Sequence, residues 1–271
     1  MPHLLLRGSR LHAAPIQAVL FDKDGTMSHS EPMLEALAAA RIGACLELAA
    51  GHGFATRRLT QLRELLERAY GFGPAGMHPA GSLAVASRLH NLIVTATCLT
   101  QIGIGWPEAL AISEESFAHT DGMHGQGSRF QPQPTPGLIR MLDALVAAGV
   151  RCAVISNDHE EGIQGFLQAH GLNAHVAAIW SADHQPCKPH PGAVHGLCAA
   201  MGIQPGQCAL IGDANSDLRM ARSAGVAVVL GYRSGWRQPP PLDADFPLLD
   251  HWDELEVAVA TPSANSAGIS S

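Results

Sequence analysis

At 271 residues, with 46% hydrophobic and 15% charged residues, the chain can form one large domain or a core with an inserted one, and it is too apolar for wholesale disorder. Its formal charge of −7, with no basic patch, argues against nucleic acid as a partner. Apolar runs such as Cys208–Ile211 and Val226–Leu230 fall far short of the roughly 20 residues that a membrane helix needs.

The first residues, Met1-Pro-His-Leu-Leu-Leu-Arg, lack the longer apolar stretch and cleavage site of a secretory signal. The 6 cysteines are scattered without a Cys-x-x-Cys pair, and several lie in apolar segments, which suits reduced core thiols. A cytoplasmic location is expected.

In chain order, Ile16–Phe21 reads as a short buried strand that runs into Asp22-Lys-Asp-Gly-Thr. From Pro32 to residue 131 the pattern is helical. Leu34, Leu37, Ala38, Cys45 and Leu48 share one face, with Pro32 in the first turn. Thr56 is placed to cap a second helix, Leu59, Leu62, Leu65, Leu66 and Ala69 form its stripe, and Gly71 stops it. Further helices are predicted over Ser82–Gln101 and Pro107–His119. Gly71-Phe-Gly-Pro-Ala-Gly76 fits a dinucleotide-binding pattern by letters alone; it follows a helix and contains Pro74, so it reads as a loop.

A Pro-rich hinge, Gln131–Gly137, then changes the pattern, with Thr135-Pro136 as a helix start. Beyond it, helices and strands alternate: a helix to Ala148 stopped by Gly149, a strand Val150–Ile155, helices His159–His170 and Pro191–Met201, a strand Cys208–Ile211, a helix Asn215–Ala224 and a strand Val226–Leu230. Such alternation predicts an α/β fold, a parallel sheet with helices on both faces. The division is a core of residues 1–31 and 132–260, an all-helical insertion of residues 32–131, and a disordered tail of residues 261–271.

Four short segments carry the chemistry. Asp22 and Asp24 follow a strand, at the edge where open parallel sheets bind ligands. Alternation sends both carboxylates to one side and Lys23 to the other. Two close carboxylates resist joint ionisation, so one is fit to be a nucleophile and the other an acid. Ser156, beside Asn157, places a hydroxyl and backbone N–H groups after a second strand, where they suit a phosphate oxygen. Lys188, in Cys187-Lys-Pro-His-Pro, is one of only two lysines, with Lys23, among 17 basic residues, and a compact ammonium suits a carboxylate and a phosphate together. Asp213 ends a third strand and Asp217 lies one helical turn on, which offers hard oxygen ligands to Mg²⁺. Taken singly, each segment also fits an ordinary turn, loop or helix cap.

Taken in order, Asp-x-Asp-Gly-Thr at 22–26, the hydroxyl at 156, the lysine at 188 and Gly-Asp-x-x-x-Asp at 212–217 resemble the four motifs of the haloacid dehalogenase superfamily, its phosphatases in particular. The insertion is similar to the helical cap of the phosphoglycolate phosphatase-like branch, on a Rossmann-like parallel core. The resemblance implies Asp22 as nucleophile and Asp24 as general acid/base, with the Asp24 backbone carbonyl also a metal ligand. It implies Thr26, Ser156 and Asn157 at the substrate phosphate, Lys188 as the neutralising cation, and Asp22, Asp24, Asp213 and Asp217 around Mg²⁺. The expected activity is hydrolysis of a small phosphorylated metabolite, phosphoglycolate or a sugar phosphate, through an aspartyl-phosphate. A β-phosphoglucomutase-like phosphotransferase shares all four motifs, and a non-catalytic binding protein on the same fold is the alternative of another class. Lys23 stands where the family usually has an apolar residue and is expected in a structural role or a surface ion pair. The insertion has no lysine, so cationic contacts from it fall to histidine or arginine, with Arg57, Arg58 and Arg88 the candidates. The oligomeric state is left open by the sequence.

Overall fold

The computed structural model describes residues 1–121 and 131–259; the tail expected to be disordered, 261–271, lies outside them. The chain begins with β1 (Pro2–Leu6), β2 (Ser9–Arg10) and β3 (Ala18–Phe21), and β4 (Ser28–His29) leads out of the core. The insertion holds α1 (Glu31–Gly51), α2 (Thr56–Tyr70), β5 (Phe72–Gly73), β6 (Gly76–Met77), α3 (Ser82–Val85), α4 (Arg88–Gln101) and α5 (Trp106–Thr120). β7 (Gln133–Pro134) returns antiparallel to β4, so one short pair ties the exit to the re-entry. There follow α6 (Leu138–Ala147), β8 (Arg151–Ile155), α7 (Glu160–Ala169), β9 (Val176–Trp180), α8 (Pro191–Ala200) and β10 (Cys208–Gly212). The described chain closes with α9 (Asn215–Ser223), β11 (Val228–Tyr232), β12 (Leu248–Leu249) and β13 (Leu255–Val259).

The six strands β12-β11-β10-β3-β8-β9 form one parallel sheet with β3 between β10 and β8. Burial on both faces explains why β3 and β10 read as unbroken apolar runs. Alternate residues serve different layers. Val19, Phe21, Cys152, Val154, Ala209 and Ile211 pack with α6 and α7, while Ala18, Leu20, Ala153, Ile155, Cys208 and Leu210 pack with α8 and α9. A third apolar cluster belongs to the helical insertion: Leu34, Leu37, Ala38 and Cys45 of α1 meet Leu62 and Leu66 of α2, Leu99 of α4 and Ile112 of α5.

The structure departs from the sequence expectations at several points. β1 pairs antiparallel with β13 and β2, from Pro2↔Val259 to Leu6↔Leu255, and periodicity did not bring these ends together. The insertion contains a two-residue-per-strand hairpin, β5–β6, where a loop was expected. Thr56 is the first helical residue of α2, and Ala55 takes the N-cap. Thr135 does not cap α6; its hydroxyl donates to the Thr26 carbonyl at 2.8 Å and accepts the Trp252 indole N–H at 2.8 Å.

The helix expected over Ser82–Gln101 is broken. Ala86 is extended, and Ser87 caps α4 by accepting from the His90 N–H. Asn91 holds the break: its amide donates to the carbonyls of Ser82 (3.1 Å), Ala86 (3.1 Å) and Ser87 (3.2 Å).

Candidate active site

The three central strands end side by side. Phe21 pairs in register with Val154 and with Ile211, so Asp22, Ser156 and Asp213 emerge from neighbouring carboxyl ends. Lys188 comes from the loop between β9 and α8. Its ammonium donates to Asp22 Oδ1 at 2.5 Å and lies 2.8 Å from Asp217 Oδ1. Asp22, Lys188, Asp213 and Asp217 are all buried, at 6%, 4%, 3% and 3% exposure. A cavity of about 490 Å³ opens above them, between the sheet edge and the helical insertion.

Asp213 is held from two sides. Thr26 Oγ1 donates to its Oδ1 at 3.1 Å, and the Trp236 indole N–H donates to its Oδ2 at 2.6 Å. The turn that allows this requires Gly25: its φ is +79°, and a Cβ there would stand 2.1 Å from Trp236 Nε1 and 2.4 Å from Asp213 Oδ2.

Burial raises Asp22 to about 6; Lys188 opposes the rise, and the neighbouring Asp217 and Asp24 charges add to it. Asp213 is raised well above the usual carboxylate range, by burial first and then by Asp22 and Asp217. Burial alone would lower Lys188, but the carboxylates of Asp217 and Asp22 outweigh it and hold the ammonium above its ordinary value. Three buried acids facing one lysine leave negative charge uncompensated. Oxygens of Asp22, Asp213 and Asp217 all lie within 4.8 Å of one another, a hard-donor cluster that fits a small divalent cation.

Other expectations need correction. Thr26 is fully buried and spends its hydroxyl on Asp213, so it orients an acid and does not line the cavity. Asn157 lines the cavity, but its amide donates to the Val85 carbonyl of the insertion at 2.9 Å, and its buried Oδ1 has no hydrogen-bond partner. Ser156 does line the cavity; its Oγ accepts the Asp158 N–H at 3.1 Å, which leaves the hydroxyl proton to donate.

Lys23 does not point away from the acids. The chain turns after Asp22, with Ser28 N–H bonded to the Lys23 carbonyl at 3.0 Å, so strand alternation ends there. Its ammonium, 2% exposed at the residue, lies 2.7 Å from Asp24 Oδ1 and 3.1 Å from Asp158 Oδ2. Ser30 Oγ also donates to Asp24 Oδ1. Among the arginines, Arg88 reaches the cavity; Arg57 and Arg58 lie on the exposed face of α2 and do not line it. Arg41 of α1 lines it and was not singled out, because its place in the helical pattern carries no mark of the cavity. Trp236 was missed for the same reason: only tertiary contact brings it to Asp213.

A buried aspartate–lysine pair beside two further acids, at the carboxyl edge of a parallel sheet under a helical layer, defines an α/β enzyme core. The family described as haloacid dehalogenase-like hydrolase matches residues 16–225, and the chain belongs to that family. It is 32% identical over 108 residues to the phosphoglycolate phosphatase of Pasteurella multocida, covering 40% of this chain and 48% of that protein. It is 27% identical over 238 residues to that of Xylella fastidiosa, covering 84% and 87%. Across the first curated relatives the matched stretch is about half to two thirds of their length. The fold is shared with a protein of Haemophilus somnus described as a predicted phosphoglycolate phosphatase, at TM-score 0.60 and 20% identity over 89% of this chain and 97% of that one. A HAD-superfamily hydrolase of subfamily IA from Geobacter sulfurreducens superposes at TM-score 0.53 and 20% identity, over 90% and 96%.

Proposed function

We propose that this protein is a phosphomonoester phosphatase that works through a phosphorylated Asp22. The observation that carries the reading is the convergence of Asp22, Lys188, Asp213 and Asp217 from three distant segments onto one sheet edge. The names of the curated relatives support phosphoglycolate or a related small phosphorylated metabolite as substrate. The helices α1–α5 act as a cap that shields the reaction from water.

In the first step an Asp22 oxygen attacks phosphorus in line, and the bond to the leaving alkoxide breaks as Asp24 gives it a proton. In the second, Asp24 takes a proton from water as that water attacks the phosphorus of the acyl phosphate, which frees inorganic phosphate and restores Asp22. Lys188 and the Ser156 hydroxyl face the phosphoryl oxygens as negative charge grows on them. Lys23 and Ser30 fix the Asp24 carboxyl between the two steps. A Mg²⁺ ion held by Asp22, Asp213 and Asp217, with Asp24, would neutralise charge on the phosphoryl group. The cytoplasm is the proposed location; no described helix is long and apolar enough to cross a membrane.

The test is phosphate release from a panel of phosphomonoesters, with and without Mg²⁺, by the wild-type chain and by Asp22→Asn. Release that depends on Mg²⁺ and disappears in the variant is the expected result. Full activity in Asp22→Asn would remove Asp22 from the chemistry.

A further inference from the structure

The acids and Lys188 account for the phosphate end of a substrate, and the rest of the cavity must receive the alcohol. Its walls there are apolar. Met33, Leu34 and Leu37 recur at helical spacing along one face of α1, Leu83 and Val85 come from α3, and Phe166 comes from α7 of the core. The Phe166 ring centroid lies 6.0 Å from Lys23 Nζ, which holds Asp24, so the apolar wall begins where the alcohol leaves. At about 490 Å³ the cavity falls within the ~300–1,000 Å³ that enclose most of a drug-sized ligand, far more than a two-carbon alcohol fills.

The polar groups that reach this part of the cavity are turned to other partners. Asn91 spends both ends of its amide inside the insertion, on Ser82, Ala86 and Ser87. Asn157, from the core, gives an N–H to the Val85 carbonyl at 2.9 Å. Arg88 takes both oxygens of Asp121, with Nε at 3.0 and 3.2 Å and Nη2 at 2.7 Å from Oδ2. Those hydrogen bonds raise it above its ordinary value, and the charges of Asp121 and Glu114 add to the rise. Arg41 stacks 3.9 Å from the Phe117 centroid, with its Nε 3.4 Å from Thr120 Oγ1 and its Nη2 3.8 Å from Asp121. Two guanidiniums thus stand against two carboxylates, and among the described residues this end of the cavity offers no net charge to a second anion. A polar group pressed against the α1 face would lose its water with nothing in return, whereas a methylene gains by burial.

We propose that the cavity selects the phosphate ester of an uncharged alcohol with an apolar body of several carbons, over the esters of short hydroxy acids and of sugars. The inference rests on the phosphatase reading and departs from the names of the relatives, which point to a short acid. Those relatives are 32% and 27% identical to this chain over the matched stretches, and the sheet-edge acids and lysine that handle the phosphate leave the alcohol unspecified. Its chemistry is set by the wall that Met33, Leu34, Leu37 and Phe166 build.

The test measures kcat/KM for n-alkyl phosphates from ethyl to hexyl, whose leaving alcohols are nearly equal in basicity, beside phosphoglycolate and the ω-hydroxyalkyl phosphates of matched length. In wild type the alkyl series is expected to climb by about fourfold per carbon, chiefly through KM, until the wall is covered. Each ω-hydroxyalkyl ester is expected about 10-fold below its alkyl counterpart, and phosphoglycolate below the longer alkyl esters. Leu37→Ser should flatten the climb, and Leu37→Met, which restores an apolar side chain, should recover most of it. If Leu37→Ser fails to fold, the wild-type series decides alone. A flat series in wild type, a preference for phosphoglycolate or for the hydroxylated esters, or an undiminished climb in Leu37→Ser overturns the proposal. Absence of phosphate release from every ester by wild type would instead bring down the phosphatase reading itself.

Discussion

Trp236 donates its indole N–H to Asp213 Oδ2 at 2.6 Å while its ring packs in the apolar cluster of the helical insertion. One side chain therefore ties an acid of the sheet edge to the layer above it. The surrounding loop strengthens the tie: Arg237 N–H donates to Glu31, its guanidinium to Glu35 at 2.6 Å, and Gln238 to the Ala75 carbonyl at 3.1 Å. The position of Asp213 depends on how the insertion is seated.

Trp236→Phe keeps an aromatic ring in the apolar cluster and removes the N–H. Asp213 then has Thr26 as its remaining side-chain donor and loses fixed orientation toward Asp22 and Asp217. Loss of an outer hydrogen bond of this kind costs roughly 10- to 100-fold in cation affinity. Mg²⁺ titrations of activity and of the Tm shift should both move by that amount, while the Tm in chelator changes little. Unchanged Mg²⁺ affinity would show that the indole contact is incidental.

Asp22 sets a pH dependence for the protein free of divalent cations. Its ordinary value is 3.8 and burial first of all raises it to about 6. Between those values the folded chain holds a proton that the unfolded chain has released. The stabilisation is complete below about 4 and is lost as the pH rises through 6, by something on the order of 2–3 kcal/mol. Denaturation of wild type and Asp22→Asn in chelator across pH 4 to 7 should show a steeper slope in wild type, since the variant lacks the Asp22 proton and also relieves Asp213 of a neighbouring charge that helps raise it. Mg²⁺ requires the charged carboxylate, so its affinity should weaken below about pH 6. A difference between the two proteins that stays flat over this range would contradict the assignment.

What the sequence made legible is local. Strands β3, β8 and β10 stand out as short apolar runs, and the chemistry sits one or two residues beyond each, so Asp22, Ser156 and Asp213 could be placed without coordinates. Asp217 follows from helical spacing, and Lys188 from the scarcity of lysine. Features that depend on distant contact were not legible. Pairing of Pro2 with Val259 joins residues at opposite ends of the chain. Arg41 and Trp236 read as a helix arginine and a loop tryptophan until the insertion folds over the sheet. Lys23 was misplaced because strand alternation was carried one residue too far into a turn. Half-buried β9 is a short apolar run, Val-Ala-Ala-Ile-Trp, but it lacks alternation and the flanking turn chemistry that set β3, β8 and β10 apart.

The cysteines give a test of packing independent of activity. Cys45, Cys98, Cys152, Cys198 and Cys208 are buried, and Cys187, beside Lys188, is partly exposed. Burial pushes Cys45 and Cys152 up to about 12, which leaves almost no thiolate at neutral pH. A disulfide reagent should therefore titrate Cys187 quickly in the native protein and all 6 cysteines after unfolding. Rapid reaction at Cys45 or Cys152, located by peptide mapping, would mean that the insertion or the sheet opens far more readily than its packing implies.

Asn91 is the residue on which the break between α3 and α4 depends. It is 2% exposed, its amide donates to three carbonyls, and its Oδ1 accepts from Ser82 Oγ at 2.8 Å. The break matters because Leu83, Val85 and Ala86 form part of the cavity wall, and the Val85 carbonyl receives Asn157 from the sheet side. Asn91→Ala leaves buried carbonyls without their donor and should cost about 2–3 kcal/mol. Asn91→Asp should cost more, because a carboxylate would face those oxygens with no proton to offer. Chemical denaturation measures the loss, and KM should rise alongside it as the wall loosens. If Asn91→Ala proved as stable as wild type with an unchanged KM, the wall would have to be held by the apolar packing of Leu83 alone.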